Sequence, residues 1–479
     1  MTIAALIERH VGDEGPARAF LGSLACERIV VSGQHVWLGR SAADATAAID
    51  RDLVVMSESS ASLNAATIAD AYRRKEIECI ESLEGPFSFV LFDIPRRRLV
   101  AANDLASRAP LAYRVARDRV SVSSSVLGLA ADPDSSRALD ELYLAHLLTG
   151  FSTAAPGTTV LRDIKRLTPG TALVATERSV DFVPWDRIRP TTLPGRTRAD
   201  WTEAFWIELE SALERTIPMN GRACLSLSGG LDSSALASVI AGRGGSSAMR
   251  AFSIVAPGRQ ADESSAIELL ERAHAGAIEN ARVDCSDAVD LSDLDAFRLF
   301  DDPVMIPLGL LPARLRVWKA AQSTGCSVVI DGEGGDELFG GLCGPVEALK
   351  RREWTAAWRH LVSKRGQRRG LFLHAFVLPR LPRLWQRQWV QSHTRAAGLL
   401  PSHLSERART HPLIELAGEQ FYEAQIDRTF EQEVLRWLSN PAVVGAFATH
   451  RHLASELGLS LVSPLLDRRV IELILGIPI

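Results

Sequence analysis

The stretch "CLSLSGGLDSSALASVI", residues 224–240, decides the fold. An apolar run from Cys224 to Leu227 meets Ser228, Gly229, Gly230, Leu231 and Asp232. Ser233 and Ser234 then open a second apolar run with helical spacing. The pattern predicts a strand, a glycine-lined turn and a helix. Glycines there permit positive φ and let backbone N–H groups approach an anion with no Cβ in the way. Ser233 and Ser234 fall at the helix start, as N-cap or first-turn residues. A helix N-terminus carries partial positive charge, which favours phosphate. Neither a Walker loop (GxxxxGK, then Ser or Thr) nor a GxGxxG after a strand occurs. The loop therefore reads as a phosphate cradle without a lysine. Asp232 would repel phosphate unless a divalent cation lay between them, hence the expectation of Mg²⁺. The alternative is an ordinary glycine-rich turn that binds nothing.

A second constellation is "VVIDGEGGDELFGG", residues 328–341. A strand ending at Ile330 opens into a glycine loop bearing Asp331, Glu333, Asp336 and Glu337. So many acids repel one another unless a cation sits among them. If both strands end on one edge of one sheet, Asp232 and Asp336 can share Mg²⁺, which also takes oxygens from ATP phosphates. The alternative is a solvated acidic turn. Between the two loops, "RAFSIVAPG" reads as a strand and "DESSAIELLERAHAGA" as a helix. Strands alternating with helices argue for a parallel, doubly wound sheet, whose ligands sit at the carboxyl ends of the strands.

Upstream the rhythm differs. Residues 83–126 read as a β-meander, residues 139–149 have helical spacing, and "TTVLRDIKRLTPGTALVAT" returns to short strands. Residues 187–201 have two prolines and little periodicity, which suits a linker. With 479 residues the chain has room for two or three domains. Its net charge of −4 sets up no field that recruits nucleic acid or a membrane surface. The N-terminus has no basic segment ahead of an apolar core, so no signal peptide is expected. No apolar run reaches the roughly 18 residues of a membrane span. The six cysteines are scattered without a metal-ligand spacing and read as buried reduced thiols of a cytoplasmic protein.

Together "SLSGGLDSS" and "DGEGGDELFGG" resemble the two signature loops of the asparagine synthetase family, whose synthetase domain is an N-type ATP pyrophosphatase. "RAFSIVAPG…ADESSAIELL", "FDDPVMIPLGLL" and "SELGLSLVSPLLDRRVIELILGIP" resemble further segments of that domain. "LEGPFSFVLFDIPRRRLVAANDLASRAPLAYR" and "LRDIKRLTPGTALV" resemble the family's N-terminal glutaminase-type domain. The resemblance covers roughly residues 80–479. It implies an Ntn-hydrolase-like α+β sandwich over residues 1–190. A doubly wound, adenine-nucleotide α-hydrolase-like domain then follows over residues 200–479. Carried over by position, Ser228, Gly229, Gly230, Ser233 and Ser234 match the pyrophosphate loop, and Asp232 and Asp336 match the Mg²⁺ ligands. Gly332 and Ile254 match positions lining the adenosine, and Glu333 matches an acid near the reacting carboxylate. The implied chemistry is attack of a carboxylate on the α-phosphorus of ATP, then attack of an amine on the acyl-adenylate.

Four departures narrow this expectation. Glutamine-dependent members expose an N-terminal cysteine once Met1 is removed, whereas this chain has Thr2. The family's Asn-Gly-Glu segment has no counterpart in residues 1–80, and Asn103 stands where an Arg usually precedes Asp104. A degenerate glutaminase domain is expected, with the amine coming from the substrate itself, as in β-lactam synthetases and lasso-peptide cyclases. Finally, active members carry a lysine beyond the Pro-Leu-Leu-Asp segment, and no lysine follows Lys364 here. Either the chain is part of a longer one, or it ends early and catalysis is in doubt.

Residues 350–390 are strongly basic and interleaved with Trp354, Trp358, Trp385 and Trp389. This reads either as a helical insert with a solvated face or as a docking face for an acidic or extended peptide. The leading expectation is a lasso-peptide cyclase acting on a precursor peptide, with a leader-binding protein and a cysteine protease as partners. The alternatives are an asparagine synthetase using ammonia or glutamine, and a silent nucleotide-binding scaffold.

Overall fold

Period-two alternation builds the first half of the molecule. The computed structural model describes residues 2–8, 27–31, 36–41, 46–59, 63–106, 108–149, 154–185, 188–193, 197–217, 222–243, 248–259, 262–287, 311–339, 354–355, 358, 381–382, 385, 388, 408, 411–423 and 430–477. The early strands are β1 (Thr2–Glu8), β2 (Glu27–Val31), β3 (Val36–Ser41), β4 (Thr46–Ile49), β5 (Leu53–Ser59) and β6 (Phe87–Asp93). They are followed by β7 (Arg98–Asn103), β8 (Ala112–Val115), β9 (Arg119–Ser123), β10 (Ile164–Arg166), β11 (Thr171–Ala175) and β12 (Val180–Pro184). They form two six-stranded antiparallel sheets, ordered β10-β8-β9-β1-β3-β2 and β12-β11-β7-β6-β5-β4. Ala5 and Ile7 of β1 meet Met56, Val90 and Phe92 of the other sheet in one apolar layer. Ala4 and Leu6 point the opposite way, onto α2 (Val126–Ala130) and α3 (Glu141–Thr149). The outer face of the second sheet, with Val55, Phe89 and Leu91, is covered by α1 (Ala65–Lys75). The result is an αββα sandwich of the Ntn type, as the α+β expectation required.

The second half begins at α4 (Arg198–Thr216), which starts inside the segment expected to be a linker. Thr197 and Asp200 close a reciprocal capping box there, with Thr197 N–H to Asp200 Oδ2 at 2.7 Å. A five-stranded parallel sheet follows in the order β15-β14-β13-β16-β17. Its strands are β13 (Ala223–Ser226), β14 (Met249–Val255), β15 (Ile278–Asp284), β16 (Val328–Ile330) and β17 (Ser460–Val462). The intervening helices are α5 (Leu231–Gly242), α6 (Ser264–Ala273), α7 (Leu311–Ser323) and α8 (Gly335–Phe339). After them come α9 (Pro412–Glu423), α10 (Phe430–Leu438), α11 (Pro441–Glu456) and α12 (Arg468–Gly476). Leu225, Ala251 and Ile330 pack toward α4 and α5, while Cys224, Phe252 and Val329 pack toward α7 and α11. Helices cover both faces, so the sheet is doubly wound. From β13 the chain steps outward to β14 and β15, then returns to place β16 on the other flank of β13. The strand order therefore reverses between β13 and β16.

The halves meet through apolar and polar contacts. Leu105 and Ala106, just after β7, share a buried cluster with Leu338, Leu466, Val470 and Ile471. Glu58 on β5 is buried and pairs with Arg451 of α11 at 2.9 Å. His146 of α3 and Gln420 of α9 lie 2.8 Å apart. Among the described residues no helix is long and apolar enough to cross a membrane. Cys79, Cys224, Cys285 and Cys326 are buried free thiols.

Candidate functional site

The crevice between the carboxyl ends of β13 and β16 is where a doubly wound sheet opens a ligand site. Both sequence motifs end there, because Leu225 of β13 pairs with Ile330 of β16. After β13 the chain turns through Ser228, Gly229 and Gly230 into α5. Gly229 has φ +83°, and a Cβ on it would press on Ala266 Cβ at 3.0 Å and Ile267 N at 3.3 Å of α6. Only glycine fits that corner without strain. Gly230 is the N-cap, without a side-chain cap bond. Its carbonyl accepts from Ser234 N–H at 3.1 Å, the first bond of the helix. As at any helix start, the N–H groups of Leu231, Asp232 and Ser233 have no helical acceptor and are available to an anion.

The two expected serines occupy the first turn, and their hydroxyls brace the loop. Ser234 Oγ donates to Gly230 O at 2.6 Å and Ser233 Oγ to the same oxygen at 3.2 Å. Ser228 N–H donates to Ser233 Oγ at 3.2 Å, and the Ser228 and Ser233 hydroxyls lie 3.1 Å apart. Ser228 itself is exposed at the loop tip.

The second loop lies directly on the first. A Cβ on Gly332 would sit 2.9 Å from Asp232 Cβ and 3.2 Å from Ser233 N. One on Gly335 would overlap the Asp232 carboxylate itself. These glycines therefore make room for Asp232. The Asp232 carboxylate accepts a hydrogen bond from the backbone N–H of Asp336, and the Asp336 charge lies close by. Burial first, and then that neighbouring charge, push Asp232 above the ordinary carboxylate range. Asp336 opens outward to solvent. Two carboxylates held together against their repulsion form a donor set suited to Mg²⁺, which takes one or two protein carboxylates and completes its shell with phosphate and water. Among the described residues no cluster of three or more His, Cys, Asp or Glu side chains is assembled for a metal. The pair fits a cation that arrives with its nucleotide.

Glu333 does not stand free. Arg314 Nη1, from α7, donates to Glu333 Oε1 at 2.8 Å and lies 2.9 Å from His450 Nδ1 on α11. A guanidinium only donates, so His450 offers a bare ring nitrogen. Burial and then the Arg314 charge depress His450 to about 3, so the imidazole is neutral. Trp318 meets its ring edge-on at 6.1 Å. Asp331 accepts from Ser463 Oγ at 2.6 Å and from Glu333 N–H at 3.2 Å. Burial and the Glu333 charge raise Asp331 to about 7. Ile254, near the carboxyl end of β14, is half-buried against α7 and Val283. The structure thus gathers Ser228, Gly229, Gly230, Asp232, Ser233, Ser234, Gly332, Glu333 and Asp336 at one crevice, with Ile254 on the same sheet edge.

Arg314, His450 and Ser463 escaped sequence reasoning. Arg314 and His450 sit in helices with no unusual composition, 136 residues apart. The acid count of the second loop was the one signal that a cation had to lie near. The stretch 299–310, with its acid-Pro segment, lies outside the described residues, as does most of the basic stretch. Within the latter, Trp354, Trp358 and Trp385 are exposed.

Fold and site together define an antiparallel sandwich followed by a doubly wound half with a glycine-lined crevice, and the comparisons give the family. Residues 207–479, more than half of the chain, match the family model described as asparagine synthase. Residues 55–185 match the glutamine amidotransferase domain model. The chain belongs to the asparagine synthase family. It is 26% identical over 175 residues to the glutamine-hydrolysing asparagine synthetase 3 of Bacillus subtilis (36% of this chain, 28% of that protein). It is 28% identical over 291 residues to amidase chyE of Penicillium rubens (56% and 42%). It is 26% identical over 290 residues to amidase chry2 of Gibberella zeae, with the same coverage. The chain spans less than half of the length of each of these relatives. Among solved structures it resembles a glutamine phosphoribosylpyrophosphate amidotransferase from B. subtilis at 10% identity, with a TM-score of 0.27, over 59% of this chain and 81% of that one.

Proposed function

We propose that the protein is an ATP-dependent ligase that adenylates a substrate carboxylate and joins it to an amine of the same substrate, most specifically in macrolactam closure of a lasso-peptide precursor. One observation carries the ligase reading: Asp232 and Asp336, 104 positions apart, are hydrogen-bonded neighbours at the switch point of the sheet. The helix N–H groups at Leu231, Asp232 and Ser233 receive the nucleotide's phosphates. Asp232 and Asp336 would hold Mg²⁺, which when bound would supply charge neutralisation for the departing pyrophosphate. Arg314 keeps Glu333 fixed at the crevice, where a carboxylate and an amine must be aligned. The carboxylate oxygen attacks the α-phosphorus and pyrophosphate leaves. The amine then attacks the acyl carbon, AMP leaves with the shared oxygen, and the amine loses a proton.

The intramolecular amine is favoured by Asn103, which is fully buried and turns its Nδ2 onto Asp104 O at 3.2 Å. The first domain is then a glutaminase scaffold without glutaminase activity, in a cytoplasmic protein. The basic stretch, with Arg365, Arg368 and Arg369, is the docking face for the precursor or its leader-binding partner, and a cysteine protease prepares the free amine.

The second reading, asparagine synthesis from aspartate with ammonia or glutamine, is favoured by the family match and by the B. subtilis relative. One experiment separates them. Precursor peptide labelled with ¹⁸O in its acceptor carboxylate should lose one water in mass and pass one ¹⁸O to AMP. Asparagine formed from aspartate and ammonia, with the peptide untouched, would replace the first reading by the second. Silence toward both, with nucleotide bound, would leave a scaffold.

A further inference from the structure

Four residues in series tie the first half of the chain to the acidic loop of the second. Asp104, in the turn after β7, is 3% exposed and accepts from Phe87 N–H at 3.1 Å and Arg108 N–H at 3.3 Å. Its Oδ2 lies 3.8 Å from Arg108 Nε. Arg108 is itself largely buried and extends Nη1 across the domain boundary to the carbonyl oxygen of Ser463 at 3.3 Å. Ser463 Oγ in turn donates to Asp331 Oδ1 at 2.6 Å. Asp331 roots the acidic loop at both levels: its N–H bonds Val462 O at 2.9 Å and its carboxylate receives Glu333 N–H. Leu105 and Ala106 flank this series and pack on Leu338 and Leu466. Leu466 fills the space beside Gly334, whose φ is +93°.

The acidic loop contains Gly332, Gly334 and Gly335 within four residues, so its backbone has an unusually large freedom to lose. It also gathers like charges, which push it open. Anchors from outside the loop are therefore needed to keep Glu333 and Asp336 in place. Arg108 supplies a charged donor to a main-chain oxygen at 3.3 Å in a largely buried setting, where a directional contact of this kind holds its acceptor in place. Among the described residues its head group makes no hydrogen bond or ion pair inside the sandwich beyond Asp104. We propose that Arg108 is a positioning residue for the crevice: acting through Ser463, it fixes Asp331 and so the acidic loop. The first domain is thereby a working part of the synthetase site. The consequence for turnover rests on the ligase reading above, whereas the effect on the loop does not.

The test uses the intact protein with Arg108→Met, Arg108→Lys, Ser463→Ala and the Arg108→Met/Ser463→Ala pair, and two measurements. Amide hydrogen exchange over residues 331–338 should quicken about tenfold in Arg108→Met and far less in Arg108→Lys, with β6 and β11 unchanged. ATP–pyrophosphate exchange should lose about tenfold in kcat in each of Arg108→Met and Ser463→Ala, with KM for ATP within about twofold. Because both act on one series, the double variant should fall no more than about twofold below the slower single one. Unaltered exchange at 331–338, or losses that multiply in the double variant, overturns the proposal. If Arg108→Met does not fold, Arg108→Lys and its pair with Ser463→Ala decide by the same readings. If the wild type exchanges no pyrophosphate, the ligase reading fails, and the amide measurement still decides the role of Arg108.

Discussion

At the scale of single residues, Asp232 works against the fold that holds it. Burial and the Asp336 charge raise it, so its ionised form is strained in the native state. Asp232→Asn should therefore leave the melting temperature unchanged or higher while lowering ATP–pyrophosphate exchange by at least about 100-fold. A calorimetric scan beside the exchange assay checks both halves. Asp331 and His450 give opposite pH slopes. Asp331, raised to about 7, stabilises the fold while protonated, and that contribution fades as pH rises from about 4 through 7. His450, depressed to about 3, contributes fully above 6.5, and its contribution is lost as pH falls toward 3. Asp331→Asn should thus gain on the wild type in denaturant midpoint from pH 5 to pH 8. His450→Gln should gain on it in going from pH 8 to pH 5. Parallel profiles for all three proteins would contradict these assignments. That Asp232 and Asp336 lie together was legible because each follows a strand into a glycine loop, and two such loops on one sheet edge meet. Arg314 and His450 were not, since ordinary helices carry them and the crevice alone gives them meaning.

At the scale of elements, the acidic loop and the start of α5 behave as one packed unit. Gly335→Ala places a methyl group into the Asp232 carboxylate. It should destabilise the protein by about 1–3 kcal/mol and lower affinity for MgATP, read by urea unfolding and titration calorimetry. Gly242 has open space for a Cβ and serves as the control, with Gly242→Ala costing no stability. The Pro-Leu-Leu-Asp segment turns out to be a structural joint. Asp467 caps α12 through Arg469 N–H at 3.0 Å and pairs with Arg215 of α4 at 2.9 Å and 3.3 Å, almost fully buried. Arg215 keeps Glu208 at 2.6 Å, so Asp467→Ala removes the helix cap and one of two ion-pair partners and should cost about 1–2 kcal/mol in unfolding free energy. The strand–turn–helix around residue 228 was readable because its apolar period switches within a few residues. The start of α4 was not: its capping box lies inside a polar, proline-bearing stretch that reads as linker. β16 and β17 are three residues each, too short to show a period.

At the scale of the whole molecule, the alternation of strand and helix revealed a parallel sheet, and the meander revealed a separate antiparallel half. Neither could show that β16 returns to the flank of β13, which is what creates the crevice. Nor could it show that Leu105, Ala106 and Arg108 reach the second half, because such contacts have no period in the sequence. The proposed function makes the first domain a support for the crevice rather than a source of ammonia. Glutamine supplied to the intact protein should accordingly release no glutamate above background, by a coupled dehydrogenase assay. Robust glutamine hydrolysis would restore the glutaminase role. The central claim is that the two glycine loops make one nucleotide site around one shared cation. Its most direct measurement is a double-mutant cycle on ATP affinity, with and without Mg²⁺, using Asp232→Asn and Asp336→Asn. Each single change should weaken Mg²⁺-dependent binding by about tenfold or more, and the pair should weaken it little further. Losses that multiply, or ATP binding indifferent to Mg²⁺ in the wild type, would contradict the account.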